Sequence, residues 1–370
     1  MTKVKIVIAG GGLISQVEHV PNLLFLRDKF ELVAVADPSP TIREHITRQF
    51  GVRAVESVDE LWACEAAAIV IGAPDSYHHQ IAAEALGRGL HVLCEKPVAL
   101  SVAAIDDLIA RRDAARRVLQ VGFMKRWDPS YEMLAAEVAD LGDRLRFVSV
   151  EVNDPDSWPF VEHQAFMGAG DLPENLKIEN RQRLVEQTAD AMGIMLAPDD
   201  IHAYVDSFSS SMIHDLNALN GLFTAMGIRS RQALSANIFA GGRGTSAVIA
   251  LNGTQALCQL SHVVVPRLAD YNERLSLFFD DRRYELIFPS PYMHNFPTRL
   301  ISYTSQGMRL AKTEHRNGFG ESFVRELEGF WAAIVNRAVV RNTPEEARYD
   351  MELVREFMAL ALAGRQEIRL

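Results

Sequence analysis

The chain has 370 residues, of which 48% are hydrophobic and 23% are charged, and its formal net charge is −10 at pH 7. This composition excludes a disordered chain and a fibrous protein, and the acidic balance excludes a global positive field that would recruit nucleic acid or anionic lipid. At ~100–200 residues per domain, the length predicts two domains.

The cysteines and the apolar runs indicate a cytoplasmic protein. Cys64, Cys94 and Cys258 stand far apart and lack metal-ligand spacing, so we expect reduced thiols. No run approaches the ~18 apolar residues that a membrane helix needs. The short apolar run after Lys3 and Lys5 ends at three glycines without a signal-peptide cleavage site, so it predicts a first strand. The histidines also show no ligand spacing, and we predict no metal site.

Short apolar runs alternate with helical segments from residue 1 to about 122. Val4–Ala9 is almost continuously apolar, as is typical of a strand buried on both faces. The further strands predicted in this region are Leu32–Ala36, Val52–Val55, Ala67–Gly72, His91–Cys94 and Val118–Val121. Because strands and helices alternate, we expect a doubly wound parallel sheet with right-handed crossovers over residues 1–122.

The pattern changes after residue 122, and residues 123–370 predict a second domain of the α+β class. The strands predicted in this part follow one another directly and are Leu145–Asn153, Ala247–Leu251, Ala256–Val265, Leu275–Phe279 and Tyr284–Phe288. They indicate a large, mostly antiparallel, open-faced sheet. The polar, helical stretch at about 160–205 predicts a surface insertion or lid. Whether the C-terminal helices pack against the first domain stays open.

A glycine loop follows the first strand. Gly10 and Gly12 stand where dinucleotide-binding proteins need glycine for the tight turn and for backbone contact with a pyrophosphate, and Ser15 takes the place of the third glycine. Asp37 ends the second strand, where an acid binds the ribose hydroxyls and repels a 2′-phosphate. The pattern predicts a Rossmann fold that binds NAD in preference to NADP; a plain strand-to-helix turn of another α/β enzyme is the alternative.

Three segments carry a resemblance to a known family. The segment from Ile71 to Pro97, IGAPDSYHHQIAAEALGRGLHVLCEKP, resembles the Gfo/Idh/MocA oxidoreductase family. Members of that family carry an E-K-P triplet after the strand that corresponds to His91–Cys94. Val121–Tyr131 (VGFMKRWDPSY) resembles the family segment that opens the second domain, and Ser209–Leu219 (SSSMIHDLNAL) resembles the histidine-bearing helix near the nicotinamide. The resemblance covers residues 1–131 well, residues 205–225 fairly, and the remainder only in pattern.

The resemblance implies which residues bind the cofactor. They are Gly10, Gly12, Leu13, Ile14, Asp37, Pro74, His78, Glu95, Lys96 and Arg126. It places Glu95 and Lys96 beside the nicotinamide ribose and ring, with the Lys96–Pro97 peptide in the cis form, and it leaves open whether Lys125 or Arg126 reaches the cofactor or substrate. A lysine beside an acid at the carboxyl end of a parallel strand also lies where such sheets bind ligands. A surface ion pair between Glu95 and Lys96 is the alternative.

The predicted catalytic residues are Lys96, His214 and Asp215. The resemblance implies a catalytic role for His214; a structural histidine is the alternative. Relatives of the inositol-dehydrogenase type carry an aspartate four residues before this histidine, where the present chain has Ser210. Either Asp215 supplies the acid or His214 acts without one. Because an ordinary lysine is protonated at neutral pH whereas histidine titrates near it, we expect Lys96 to polarise the substrate oxygen and His214 to move the proton.

The resemblance implies an NAD-dependent dehydrogenase that transfers a hydride from a CH–OH group of a sugar or cyclic polyol, with NADP less favoured. Two alternatives stay open. One is a lyase, glycosidase or epimerase that retains its cofactor, and the other is a non-catalytic regulator that senses NAD(P). The expected partner is a small polyhydroxy substrate, with no nucleic acid and no membrane.

We also expect a homo-oligomer, either a dimer or a tetramer. Leu257, Val263 and Val265 share one face of their predicted strand, and Leu260 and Val264 share the other. Both faces of the sheet therefore look too apolar for one of them to be solvated. A second subunit is the predicted cover.

Overall fold

The computed structural model describes residues 2–367, and the chain divides into two compact units. The first unit comprises Met1–Phe123, Phe160–Gly193 and Phe323–Arg348. The second comprises Met124–Pro159, Ile194–Ser322 and Tyr349–Leu370. The sequence predicted a single boundary at residues 122 and 123. The first boundary lies next to that position, but the chain later returns twice to the first unit.

The first unit contains a six-stranded parallel sheet. Its strands are β1 (Val4–Ala9), β2 (Phe30–Ala36), β3 (Ala54–Val55), β4 (Ala68–Ile71), β5 (His91–Glu95) and β6 (Leu119–Gly122). The helices between them are α1 (Val20–Phe25), α2 (Pro40–Phe50), α3 (Val58–Trp62), α4 (Asp75–Gly87) and α5 (Val102–Ala115). The strand order is β3–β2–β1–β4–β5–β6, so the predicted doubly wound Rossmann sheet is confirmed.

Local signals set the position of α2, and the strand order sets the position of the candidate site. The Ser39 hydroxyl accepts a hydrogen bond from Ile42 N (3.2 Å), Pro40 occupies the first turn, and Gly51 ends the helix with φ +67°. The direction of winding reverses between β1 and β4. In open sheets of this kind the crevice at the carboxyl ends of such strands binds ligands.

Seven helices follow Phe123 within the described residues. They are α6 (Pro129–Glu137), α7 (Trp158–Val161), α8 (Glu174–Met192), α9 (Pro198–His202), α10 (Ile213–Ala225), α11 (Ser322–Val335) and α12 (Pro344–Glu367). A π-helical run, Ala203–Met212, directly precedes α10. From residue 2 to residue 367, no helix combines the length and the apolar composition required to cross a membrane.

The second unit contains an eight-stranded sheet. Its strands are β7 (Leu145–Asp154), β8 (Arg231–Phe239), β9 (Gly244–Leu251), β10 (Leu257–Val264), β11 (Asn272–Phe279), β12 (Arg282–Phe288), β13 (Arg299–Gln306) and β14 (Arg309–Arg316). The order is β14–β13–β12–β11–β7–β10–β9–β8, and only the β7–β10 pair is parallel. The prediction of a large, mostly antiparallel sheet is confirmed.

The two faces of this sheet differ in polarity. Val148, Val150 and Val152 of β7 are buried on one face, as the alternation predicted. On the other face, Leu257 of β10 is 41% exposed, and its same-face neighbour Gln259 is also exposed. The sequence predicted that both faces would be too apolar to be solvated. Because polar residues alternate with apolar ones on the second face of β10, that face is mixed instead.

Residues 160–193 pack with the first unit, although the sequence placed the whole 160–205 stretch in the second domain. The Gln16 side chain donates to Met167 O and accepts from Met167 N, both at 2.9 Å. Trp331 of α11 likewise joins the apolar core around Val4 and Phe30. Such contacts join residues far apart in the chain, so local periodicity does not predict them.

Candidate active site

The protein's own packing requires the first two glycines of the loop after β1 but not the third. Gly10 has φ +95°, and a Cβ atom there would lie 2.5 Å from the backbone nitrogen of Ala73. A Cβ atom on Gly11 would lie 2.7 Å from Ile46 Cδ1 of α2. A Cβ atom on Gly12 would meet nothing within 4 Å. The space in front of Gly12 therefore fits a group that approaches the backbone from outside, as a dinucleotide pyrophosphate does.

The helical segment after this loop begins beside the open space. Leu13 and Ile14 form its first residues and are half-buried, whereas the π-helical turn Ser15–His19 is buried. The first backbone N–H groups of a helix have no partner inside the helix. They favour a negatively charged group, so this loop and helix start suit a pyrophosphate.

Ser15 replaces the third glycine of the fingerprint without opening the turn. Its hydroxyl donates to the carbonyl oxygen of Gly10 (2.5 Å), which folds the side chain back onto the loop. A Cβ atom on Gly72, the residue after β4, would lie 2.8 Å from Ser15 Oγ. Close packing between helix and strand therefore depends on a glycine in the neighbouring strand-to-helix loop.

Asp37 joins the end of β2 to the glycine loop. Its Oδ2 accepts from Gly11 N and its Oδ1 accepts from Ser39 N, both at 2.9 Å, and the residue is 8% exposed. Burial raises the pKa of the Asp37 carboxyl, although the two N–H groups and the charge of Arg43 act in the opposite direction. Each carboxylate oxygen keeps a lone pair beyond the bond it accepts, so the residue can also accept from ribose hydroxyls.

The E-K-P triplet ends β5 as predicted, and the Lys96–Pro97 peptide is cis. Lys96 is half-buried at the carboxyl end of the strand. Glu95 Oε1 lies 2.8 Å from Nε2 of buried His19, and the place of Glu95 beside the nicotinamide ribose stays a prediction. Burial raises the pKa of the Glu95 carboxyl, but the hydrogen bond and charge of His19 outweigh burial and bring it below its ordinary value.

His78 contacts the loops after β4 and β5, and its position along the cofactor channel stays a prediction. Its Nε2 lies 2.7 Å from Ala73 O and its Nδ1 lies 2.8 Å from Pro97 O. The ring is 1% exposed, and both nitrogens are used by backbone carbonyls. Pro74 is the N-cap residue of α4, with φ −58°, and precedes the turn that carries His78. The structure therefore gives His78 the role of holding the loops after β4 and β5 together.

The 160–193 segment runs along the same edge of the first unit. Ser76 Oγ, at the start of α4, donates to Asn180 Oδ1 (2.6 Å), and Gln187 Nε2 donates to Ser76 O (2.8 Å). The Arg183 guanidinium lies 4.5 Å from the centre of the Tyr77 ring. With the Gln16 contacts of Met167, these interactions tie the segment to both the π-helical turn after β1 and the first turn of α4.

The second unit holds a buried cluster of charged side chains. Lys125 forms ion pairs with Asp215 (3.3 Å) and with Glu273 of β11, and the three side chains are 6%, 1% and 1% exposed. Tyr271 donates to Glu273 Oε2 (2.6 Å). Buried charges persist when they are paired in this way. Glu273 was missed from the sequence, although an acid on the same strand face as the buried Leu275 was the available signal.

His214 and Asp215 are adjacent on α10 but have different surroundings. His214 is half-buried, whereas Asp215 is 1% exposed and pairs with Lys125. Burial raises the pKa of the Asp215 carboxyl, and the positive charge of Lys125 counteracts part of that effect. Neighbouring residues of a helix do not face each other. Asp215 is therefore oriented toward Lys125, and whether it supplies the acid to His214 in place of an acid at residue 210 stays a prediction.

Two further side chains of the second unit bear on the predicted site. Arg126 packs on α10, because a Cβ atom on Gly221 would lie 2.9 Å from Arg126 Nε. His262 of β10 is 1% exposed, and its Nε2 lies 3.8 Å from Asp154 Oδ2. Nothing in its sequence context distinguished His262 from the other histidines. Among residues 2–367, no group of three or more His, Cys, Asp or Glu side chains could hold a metal ion.

Comparison with known proteins gives matches to a family and to individual relatives. Residues 4–123 match the Gfo/Idh/MocA family, which is described as an oxidoreductase family with an NAD-binding Rossmann fold. An inositol 2-dehydrogenase of Rubrobacter xylanophilus is 34% identical over 123 residues, which cover 33% of this chain and 35% of that protein. The chain spans about a third to a half of the length of the first curated relatives that it matches.

Two solved structures share the fold along nearly the whole chain. The UDP-N-acetylglucosamine 3-dehydrogenase GnnA from Acidithiobacillus ferrooxidans has a TM-score of 0.71 at 20% identity, covering 98% of this chain and 99% of that one. KijD10, a 3-ketoreductase from Actinomadura kijaniata in complex with NADP and TDP-benzene, has a TM-score of 0.72 at 17% identity, covering 97% and 98%. Residues 4–123, which include the glycine loop at Gly10 and the Glu95–Lys96–Pro97 triplet, are thus similar to the NAD-binding Rossmann fold of the Gfo/Idh/MocA oxidoreductase family, and the two solved structures share the fold of nearly the whole chain.

Proposed function

We propose that this chain is an NAD-dependent dehydrogenase that acts on a CH–OH group of a sugar or cyclic polyol. The observation that carries the proposal is the open space in front of Gly12, next to a loop whose other glycines are packed against protein. Asp37 and Lys96 lie at the carboxyl ends of β2 and β5, the edge where such sheets bind nucleotides. NAD bound at this edge would accept a hydride from the substrate.

The residues of the edge divide the binding of the cofactor between them. The backbone N–H groups of Gly12, Leu13 and Ile14 bind the pyrophosphate, because a helix start favours negative charge. The free lone pairs of Asp37 accept from the adenosine ribose hydroxyls, and its carboxylate repels a 2′-phosphate. This charge is our reason for proposing NAD rather than NADP.

Lys96 and His214 carry the proposed chemistry. Lys96 donates to the substrate oxygen and polarises it, and His214 takes the hydroxyl proton as the hydride leaves. The relatives support the substrate class, since one is an inositol 2-dehydrogenase and another a UDP-N-acetylglucosamine 3-dehydrogenase.

A screen of polyols and aldoses with NAD and with NADP tests this function. We expect reduced nicotinamide to accumulate with at least one polyol or aldose, faster with NAD than with NADP. The matched control is Lys96→Ala, which keeps the glycine loop and Asp37 and should bind NAD without turnover. A wild-type chain that binds no dinucleotide would contradict the proposal.

A second candidate function is a lyase, glycosidase or epimerase that retains its cofactor. The observation that favours it is the 160–193 segment, which is tied across the sheet edge at Gln16 and Ser76 and would slow the release of a bound dinucleotide. Such an enzyme would be purified with NAD bound and would convert substrate without net reduced nicotinamide. A third alternative, a non-catalytic regulator, has little need for Lys96. Unchanged NAD binding in Lys96→Ala, together with no conversion of substrate by the wild type, would favour it.

We also propose that the chain forms a homo-oligomer in the cytoplasm. On the mixed face of the eight-stranded sheet, Phe147 and Phe278 are half-buried neighbours with ring centres 5.8 Å apart. Such aromatic pairs are common in interfaces between subunits. The three cysteines are free, which agrees with a reducing compartment. Sedimentation at micromolar concentration tests assembly, and a monomer would contradict it.

A further inference from the structure

The carboxylate of Asp171 lies at the first turn of α2, far from its own position in the sequence. Its Oδ2 accepts from Thr41 N (2.9 Å) and from Thr41 Oγ1 (2.8 Å), and its Oδ1 accepts from Ser39 Oγ. The hydrogen bonds from Ser39 and then Thr41 lower the pKa of the Asp171 carboxyl to about 2. The Asp171 carboxyl is therefore ionised at neutral pH.

The helix does not need this carboxylate as a cap. Ser39 already caps α2 by accepting from Ile42 N, and Ser39 N is taken by Asp37. Asp171 instead adds a second negative charge, at Ser39 and Thr41, which follow Asp37 in the chain. Asp37 is the proposed partner of the adenosine ribose. The pKa of Asp37 is itself raised, first by burial and in smaller part by the charge of Asp171.

The groups around Asp171 are those that would bind a phosphate. They comprise two hydroxyls, on Ser39 and Thr41, the Thr41 N–H group, and the Arg43 guanidinium, whose Nη1 donates to Asp37 O and Pro38 O (both 2.9 Å). Hydroxyls, a first-turn N–H group and a guanidinium commonly hold phosphate oxygens. A 2′-phosphate on the ribose held by Asp37 would need these donors, and Asp171 occupies them.

We infer that Asp171 determines the choice between NAD and NADP by occupying the place of the ribose 2′-phosphate. This inference rests on the proposed function, because it requires a dinucleotide at this edge. Asp171 is held there by its own segment, since Met167 pairs with Gln16 and the carbonyl of Ala165 lies 2.9 Å from His45 Nε2. A 2′-phosphate would have to displace an anchored carboxylate and lie beside two like charges.

The test compares the dissociation constants of NAD and NADP, measured by calorimetry on the purified full chain. We expect Asp171→Asn to tighten NADP binding by roughly tenfold and to leave NAD binding within about threefold. Asp171→Lys should shift the ratio further, because a cation then faces the 2′-phosphate. Glu174→Gln is the matched control. It removes a negative charge from an exposed side chain of the same segment but keeps Asp171 and its anchors, so the NAD:NADP ratio should not change.

The outcomes separate this inference from the proposed function. If the wild type binds NAD and Asp171→Asn leaves the ratio unchanged, or if Glu174→Gln changes it as much, the inference alone is overturned. If the wild type binds neither dinucleotide, the proposed function is overturned, and the inference with it. Circular dichroism of each variant shows that the fold is intact, as expected for an exposed side chain.

Discussion

The sheet edge of the first unit and the buried cluster of the second unit use charge in opposite ways. At the edge, Gly10 and Gly11 are packed against protein while the space in front of Gly12 is open, so a ligand can supply the negative charge. In the cluster, Lys125 is already neutralised by Asp215 and Glu273, and all three are buried. The sheet edge therefore needs a ligand to supply negative charge, whereas the buried charged side chains of the cluster pair with one another.

This difference separates two kinds of defect. A change at the edge should impair binding or turnover and leave stability nearly intact, because the open side contacts no protein. A change in the cluster should destabilise the fold first, because removal of one partner leaves a buried charge unpaired. The predictions below test that separation.

The largest effect is expected on turnover. Lys96→Ala and His214→Ala should each lower kcat by ~10²–10⁴, since each removes one positioned proton-handling group. NAD binding should hardly change, because the glycine loop and Asp37 stay intact. If the two residues share one proton path, the double variant should be little worse than either single variant. Near-wild-type turnover of His214→Ala would remove that residue from the mechanism.

The next effect concerns stability. Lys125→Met should lower the free energy of unfolding by about 3–5 kcal/mol, because it strands two buried carboxylates. Denaturation by urea, followed by circular dichroism, measures the change. Lys177→Met is the matched control: Lys177 pairs with Glu174 on the surface, where side chains are 44% and 73% exposed, and such a pair contributes little. A loss below about 1 kcal/mol for Lys125→Met would contradict the account of the cluster.

A pair of glycine variants sharpens the comparison within the edge itself. Gly12→Ala adds a methyl group that meets no protein atom, so unfolding should change by no more than about 0.5 kcal/mol, while NAD affinity falls because the pyrophosphate is displaced. Gly10→Ala should destabilise the fold, because its φ of +95° is strained for alanine and the Cβ atom would collide with the Ala73 backbone. Unchanged NAD affinity in Gly12→Ala would show that the loop does not bind the phosphates.

The smallest effect depends on pH and on an acid in the first unit. Burial, and then the charge of Glu95, raises the pKa of the Glu326 carboxyl well above its ordinary value of 4.5. The folded chain therefore keeps a proton that the unfolded chain releases, so the stability contribution present below pH 4.5 is lost as the pH rises through the raised pKa. Glu326→Gln should flatten the decline in the free energy of unfolding over that range, and an unchanged slope would contradict this.

The fold could be predicted where burial leaves a pattern in one segment. The continuous apolar run of β1 and the alternation of β7 predicted their strands. β13 and β14 were missed at one end of the second sheet. β14 is exposed along most of its length, so no alternating buried face marks it in the sequence. Its hydrogen bonds to β13 define it instead.

The residues of the candidate site likewise divide into those that a local sequence motif predicts and those that it does not. Gly10, Gly12, Asp37 and Lys96 belong to short motifs whose chemistry depends on neighbouring residues, and the structure places them at the carboxyl ends of β1, β2 and β5 of one parallel sheet. The pairing of Lys125 with Glu273 joins distant segments across the second unit, so no local pattern predicts that the two residues meet. Asp171 was missed for the same reason, because its partners are on α2.

The most direct measurement of the central claim is the yield of reduced nicotinamide per substrate converted, with NAD and the best polyol or aldose of the screen. The account predicts that one reduced nicotinamide forms for each substrate oxidised, and that Lys96→Ala binds NAD but forms none. Conversion of substrate without net reduced nicotinamide would contradict a dehydrogenase and favour the cofactor-retaining enzyme. Binding of NAD with no conversion of any polyol or aldose by the wild type would contradict both.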